Sequence, residues 1–134
     1  MLKIFTIAAS YPLPWFGLMA SATLQNRPGP QILARYTVTS AQVQNLGRPL
    51  GLGTATTQLI APGTMFGDRV TQVDVRFGKL FRIQRARVQA TMDIFNVLNS
   101  SAVLALNTTY GAAWLNPTAI LQGRLVKFGA QFDF

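Results

Sequence analysis

Apolar and polar residues alternate with a period of two along much of this chain, the pattern of a strand with one face turned away from water. Phe5, Ile7, Ala9 and Tyr11 alternate with Ile4, Thr6, Ala8 and Ser10. After Pro12-Leu13-Pro14, Phe16, Leu18, Ala20, Ala22 and Leu24 fall opposite Gly17, Met19, Ser21, Thr23 and Gln25. The spacing predicts a strand, a tight proline-rich turn and a second strand. Gln25 to Pro30 is a polar break, beyond which Ile32, Ala34, Tyr36 and Val38 resume the alternation, so strand structure is expected to extend to residue 39. From Ala41 to Gly67 Gly, Pro, Thr and Gln dominate without a period, which predicts a long loop.

The second half carries the clearest signal. Val73, Val75, Phe77, Phe81 and Ile83 are odd-numbered, whereas Ala86, Val88, Ala90, Met92 and Ile94 are even-numbered. Parity reversal across a short turn is what a hairpin requires. With Gln84 and Arg85 as the turn, Ile83 lies opposite Ala86 and Arg76 opposite Asp93, with Asp74 on the diagonal of the same polar face. Met92, Phe95 and Leu98 also recur at helical spacing, but the segment is short and the upstream alternation is unbroken, so strand is favoured. Asn99 to Asn116 then encloses a second long loop, containing Tyr110 and Trp114. The closing segment alternates again, with Val126, Phe128, Ala130, Phe132 and Phe134 on one side and Leu125, Lys127, Gly129, Gln131 and Asp133 on the other.

The predicted strands are therefore about 3–11, 16–39, 69–83, 86–98 and 121–134, with loops 41–67 and 100–119. The fold class is all-β: an antiparallel up-and-down meander of about five strands. Short turns alternate with long loops, and strands of roughly ten residues suit a tilted crossing of a bilayer, so the expected architecture is an open segment of a transmembrane β-barrel. Phe128, Phe132 and Phe134 are expected on the lipid face as structural residues, and Arg76 with Asp93 as a charge pair on the lumen face. Lys79 breaks the pattern, since its parity points it at lipid. It either snorkels to the interface or is re-aimed by a bulge at Gly78.

Composition narrows the chemistry. The 134 residues include no His, no Cys and no Glu, and the carboxylates are Asp68, Asp74, Asp93 and Asp133. An imidazole base, a thiolate nucleophile and a zinc site of N/S ligands are thereby excluded. No enzyme activity, cofactor or metal is expected. A net charge of +8 raises nucleic-acid binding. The basic residues are scattered singly, however, apart from Arg82, Arg85 and Arg87, and the mean hydropathy is positive, unlike a polar basic module. The glycine-rich run Gly47 to Gly53 lacks the ending of a phosphate-binding loop and predicts turns. Residues 1–22 have the outline of a signal peptide, but Pro12 and Pro14 would break its apolar helix, and the hairpin explains more of the sequence.

Three blocks in order, Gly67 to Lys79 (Gly-Asp-Arg-Val-Thr-Gln-Val-Asp-Val-Arg-Phe-Gly-Lys), Asp93 to Asn99 (Asp-Ile-Phe-Asn-Val-Leu-Asn) and Tyr110 to Phe134, resemble the carboxyl end of TonB-dependent outer-membrane receptors. They are similar to the Oar-like group that carries a carboxypeptidase-regulatory-like domain. Tyr11 to Trp15 and Arg27 to Gln31 fit the same group, so the resemblance covers nearly the whole chain. It implies a barrel of roughly 22 strands with a plug inside, energised through TonB, in the outer membrane of a Gram-negative-type bacterium. The terminal phenylalanine resembles the signal read by the barrel-assembly machinery. Partners implied are outer-membrane lipid, the remaining barrel and plug, that machinery, and TonB through parts not represented in these five strands; no nucleic acid is expected. Five strands cannot close such a barrel, so the resemblance implies a carboxyl-terminal fragment of a transporter that does not function alone. A soluble basic nucleic-acid-binding module and a small stand-alone porin are the alternatives.

Overall fold

The computed structural model describes residues 3–14, 17–83 and 86–133. It is an all-β structure of nine strands among the described residues: β1 Phe5–Leu13, β2 Leu18–Arg27, β3 Arg35–Thr39, β4 Thr54–Gln58, β5 Val70–Ile83, β6 Ala86–Phe95, β7 Val103–Leu106, β8 Pro117–Ile120 and β9 Leu125–Asp133. A single 3-10 turn at Gln44–Leu46 is the helical element described. No helix among the described residues is long and apolar enough to cross a membrane, which says nothing of crossing by strands.

The chain divides into two compact units. The first, residues 1–28, 69–102 and 121–134, is a five-stranded antiparallel sheet in the order β1-β2-β5-β6-β9. Each strand lies beside the next one that the chain contributes to the sheet, as in a meander. β1 and β9 form its edges, and the described strands form no closed barrel. Short connections join β1 to β2 and β5 to β6, while the links from β2 to β5 and from β6 to β9 run through the second unit.

The register sorts the side chains. Val75 pairs with Ala22 and Ile94, and Ile94 with Val126; Phe77 pairs with Ala20 and Met92, and Met92 with Phe128. Because successive residues point to opposite faces, these rows collect most of the apolar positions of the five strands on one side, while Met19, Leu80, Phe95 and Leu125 lie on the other with Arg76 and Asp93. The hairpin of β5 and β6 has the register that parity reversal predicts, with Ile83 opposite Ala86 and Arg76 opposite Asp93. Its turn residues Gln84 and Arg85 lie outside the described residues. Pairing runs without interruption through Gly78 on both flanks, Met19 on one side and Thr91 on the other. The bulge considered for Gly78 is therefore absent, and Lys79 shares the apolar face, its Nζ 4.9 Å from the centre of the Phe81 ring.

The second unit, residues 29–68 and 103–120, corrects the expectation of two structureless loops and of one strand over 16–39. Pro28-Gly29-Pro30 ends the first alternating run because two prolines remove ladder donors. Residues 35–39 then pair with β4 instead of the sheet, in a hairpin that sets Thr37 Oγ1 2.9 Å from Thr56 Oγ1. β7 and β8 form a second, irregular hairpin. The two are joined by backbone bonds from Arg35 N to Thr108 O and from Tyr110 N to Arg35 O, both 2.8 Å. Strand ends also differ from expectation: β6 stops at Phe95 where Asn96 takes a positive φ of 51°, and β9 starts at Leu125.

Side-chain burial is sparse. The buried hydrophobic residues among those described are Ala34 and Val70, and no large side chain is fully enclosed. Backbone pairing, more than a core, holds both units together.

Gly29 tests the closing of the second unit. A Cβ there would meet Asp68 O at 2.1 Å and Gly67 C at 2.6 Å, both backbone atoms that cannot rotate aside. Gly29→Ala is expected to break the Gln31–Phe66 bridge and the bond from Gly67 N to Pro30 O. Hydrogen exchange should show lost protection at Ile32 and Gly67, while amides of β5 and β6 keep theirs.

Candidate functional site

The chemistry-bearing residues of the sheet gather on its polar face. One row across it reads Ser10, Ser21, Arg76, Asp93, Lys127. Arg76 donates to Asp93 through Nε and, at 3.3 Å, through Nη2, a two-point contact of the kind a guanidinium fork favours. Asp93 is 8% exposed at its side chain and Arg76 is 61% exposed, so the acid is sunk in the sheet and the base lies over it. The pair flanks two shallow hollows. One, of about 290 Å³, is lined by Ser21, Thr23, Gln25, Asp74, Arg76 and Phe95 among others. The second, of about 320 Å³, is lined by Arg76, Gln89, Thr91, Asp93, Lys127 and Gln131, with Gly129 and Ala130.

Asp74 lies on this polar face, diagonal to Asp93 as the register predicts, and accepts from Gln72 Nε2 at 2.9 and 3.0 Å and from the backbone N of Asn96 at 2.8 Å. The reason is local: β6 ends at Phe95, so the N–H of Asn96 needs an acceptor, and a neighbouring carboxylate supplies it.

Asn96 is the residue that alternation alone missed. It is 2% exposed. Its Nδ2 donates to Ser100 O at 2.9 Å and Gln122 O at 2.7 Å, and its Oδ1 accepts from Ser100 N at 2.9 Å. Asn99 repeats the theme, its Oδ1 accepting from Arg124 N at 3.0 Å. Both take positive φ, 51° and 52°, a conformation that asparagine tolerates better than most residues. The Asn-x-x-Asn spacing thus ties the exit of β6 to the approach of β9.

The apolar face holds the remaining expected residues. Phe128 is 75% exposed opposite Met92, and Phe132 is 59% exposed opposite Val88. Phe134 lies outside the described residues. Phe5, Ile7, Tyr11, Phe81, Ile83 and Val126 are also exposed on this face. At the short-turn end of the polar face Arg82 pairs with Arg87, and Arg87 with Asp133. Arg85, expected in the same cluster, lies outside the described residues.

In the second unit the ring of Tyr110 meets Tyr36 edge-on at 6.0 Å and Trp114 at 5.7 Å. Trp114 Nε1 donates to Leu33 O at 2.9 Å, which fixes the indole. Among the described residues no group of three or more metal-ligating side chains converges.

Fold and site together define an all-β chain whose larger unit is an open antiparallel sheet, greasy on one face and charged on the other. Compared with models of known protein families, with curated proteins and with solved structures, the chain matches none.

The asparagine knot makes a direct prediction. Asn96 is itself buried, and Asn96→Ala removes two donors and one acceptor from the backbone of Ser100 and Gln122, which should cost about 2–4 kcal/mol of sheet stability. Denaturant unfolding followed by circular dichroism measures it, with Asn107→Ala, whose bonds lie in the second unit, as the milder comparison.

Proposed function

We propose that this chain forms part of the wall of a transmembrane β-barrel in an outer membrane, the last strands of a TonB-dependent receptor that moves a substrate across that membrane. The observation that carries the reading is the apolar face. Eight large apolar side chains, Phe5, Ile7, Tyr11, Phe81, Ile83, Val126, Phe128 and Phe132, stand exposed on one side of a single sheet. Soluble monomers rarely expose contiguous apolar patches on this scale. At roughly 1.5–3 kcal/mol per fully covered side chain, discounted for partial exposure, transfer of that face to hydrocarbon is worth on the order of 10 kcal/mol.

Strand lengths support the same reading. The sheet strands are 9, 10, 14, 10 and 9 residues long, against the 9–11 residues of a tilted membrane strand. Short connections at one end and long ones at the other match the asymmetry of outer-membrane barrels. The exposed edges of β1 and β9 add to it, since unpaired backbone groups in hydrocarbon cost several kcal/mol each. Such a wall needs neighbouring strands, which the rest of a receptor barrel supplies. The reading also rests on the resemblance of three sequence blocks to the carboxyl end of these receptors; the blocks fall on β5, on the exit of β6, and on β8 with β9. On this reading Arg76 and Asp93 face the lumen, and Phe128 and Phe132 face lipid and, with Phe134, take part in assembly. Lys79 reaches the interface past Phe81 at the short-turn end. A basic nucleic-acid-binding module is less well supported, because it has no use for the exposed apolar face.

The chain has no native cysteine, so single-cysteine variants along β9 report cleanly. With the chain joined to the remaining strands of a cysteine-free receptor barrel in lipid vesicles, an environment-sensitive fluorophore at residues 126, 128, 130 and 132 should report an apolar medium, and one at 127, 129 and 131 a watery one. A uniform response, or the opposite parity, rejects the barrel-wall reading.

A further inference from the structure

We propose that the polar face carries an anion seat between β6 and β9, built for a small carboxylate or phosphate, with Lys127 as its principal cation and Arg76 as the second. The register sets Lys127 directly across from Asp93, where an ion pair would be expected. Asp93 instead gives its contacts to Arg76, and among the described residues no salt bridge joins Lys127 to any acid. The row Arg76, Asp93, Lys127 therefore holds one neutralised pair and one uncompensated cation, a local charge of +1.

What surrounds that cation suits an oxyanion. Lys127 lines the hollow of about 320 Å³ together with Gln89, Thr91, Asp93, Gln131, Arg76, Gly129 and Ala130. Gln89 and Gln131 lie opposite each other further along the same face; Gln131 Nε2 gives one N–H to Asp133 Oδ1 at 3.2 Å and keeps its second, and Gln89 adds its own amide donors. Gly129 leaves the floor low: a Cβ there would come within 2.8 Å of Thr91 Oγ1. Of the five N–H donors of a guanidinium, Arg76 directs two at Asp93, so the others remain for a ligand that bridges towards Lys127. An ammonium is a strong phosphate and carboxylate partner as a point charge, and flanking amides add directional bonds without adding charge. Asp93 lies in the same hollow, but its charge is already balanced, so it positions Arg76 instead of repelling the ligand.

The seat depends on the sheet alone, not on what covers the opposite face, and the lysines allow that to be read. The chain has three, Lys3, Lys79 and Lys127. Lys79 shares the apolar face, Lys3 lies before β1, and Lys127 lines the hollow. The refolded chain is treated with an amine-acylating reagent in inorganic phosphate, citrate or chloride at matched ionic strength, and modification at each lysine is followed by mass spectrometry. Phosphate or citrate is expected to slow acylation of Lys127 about three- to tenfold relative to chloride, leaving Lys3 and Lys79 unchanged. Arg76→Gln should remove most of that protection and Arg82→Gln little. Equal acylation of Lys127 in all three salts overturns the seat, as does equal slowing at all three lysines, which is general screening. Failure of the barrel-wall reading would show separately, in the fluorophore pattern on β9.

Discussion

The backbone ladder that joins β1, β2, β5, β6 and β9 decides which residue lies across from which, and with a side-chain period of two that also decides which face each side chain occupies. Few contacts besides the ladder define the sheet, because its side chains enclose so little: Val70 is the one hydrophobic residue of this unit that is buried among those described. In an ordinary soluble domain a core would correct a slip of one residue by penalising it. Here the penalty would come from exchanging the two faces, which would put Arg76, Asp93 and Lys127 where Phe77, Met92 and Phe128 now lie. The Arg76–Asp93 contact and the knot around Asn96 act as pins on that register. The first pins the β5–β6 pair near the end remote from its turn, and the second fixes where β6 stops and where the chain re-enters towards β9.

The same dependence explains what could be read from the sequence. The parity of β5, β6 and β9 was legible because each has a clean apolar set, and from it the pairing of Ile83 with Ala86 and of Arg76 with Asp93 followed by counting. β4, β7 and β8 were not legible. Thr54–Gln58 is exposed on both faces and so carries no alternation, and the pairing of Val103–Leu106 with Pro117–Ile120 is irregular, which scrambles it. The run over 16–39 was misread for the opposite reason: Ile32 to Val38 alternates well, but alternation does not say which strand is the partner, and the prolines at 28 and 30 divert the chain into another unit. Asp74 falls on the polar face diagonal to Asp93, as counting places it, but its partners could not be read: the backbone N–H that the end of β6 leaves unpaired is not visible in the alternation.

Of the candidate site, the charge pair and the two described phenylalanines were visible in the sequence, and Lys127 and Asn96 were not singled out. Lys127 looked like one more polar residue of an alternating strand. Its significance arises only when three strands are aligned and the acid across from it is found already engaged by Arg76. Asn96 was visible as the fourth residue of Asp-Ile-Phe-Asn, yet its role depends on Ser100 and Gln122, whose carbonyls no local pattern brings to it.

The order of the sheet has a topological consequence. Four successive reversals separate β1 from β9, so these two edge strands point the same way. A closed cylinder in which every neighbour is antiparallel contains an even number of strands, and this sheet contributes five. Whatever bridges β9 back to β1 with antiparallel pairing throughout must therefore supply an odd number of strands. Copies of this chain arranged head to tail in a ring would meet with β9 beside a parallel β1 at every junction.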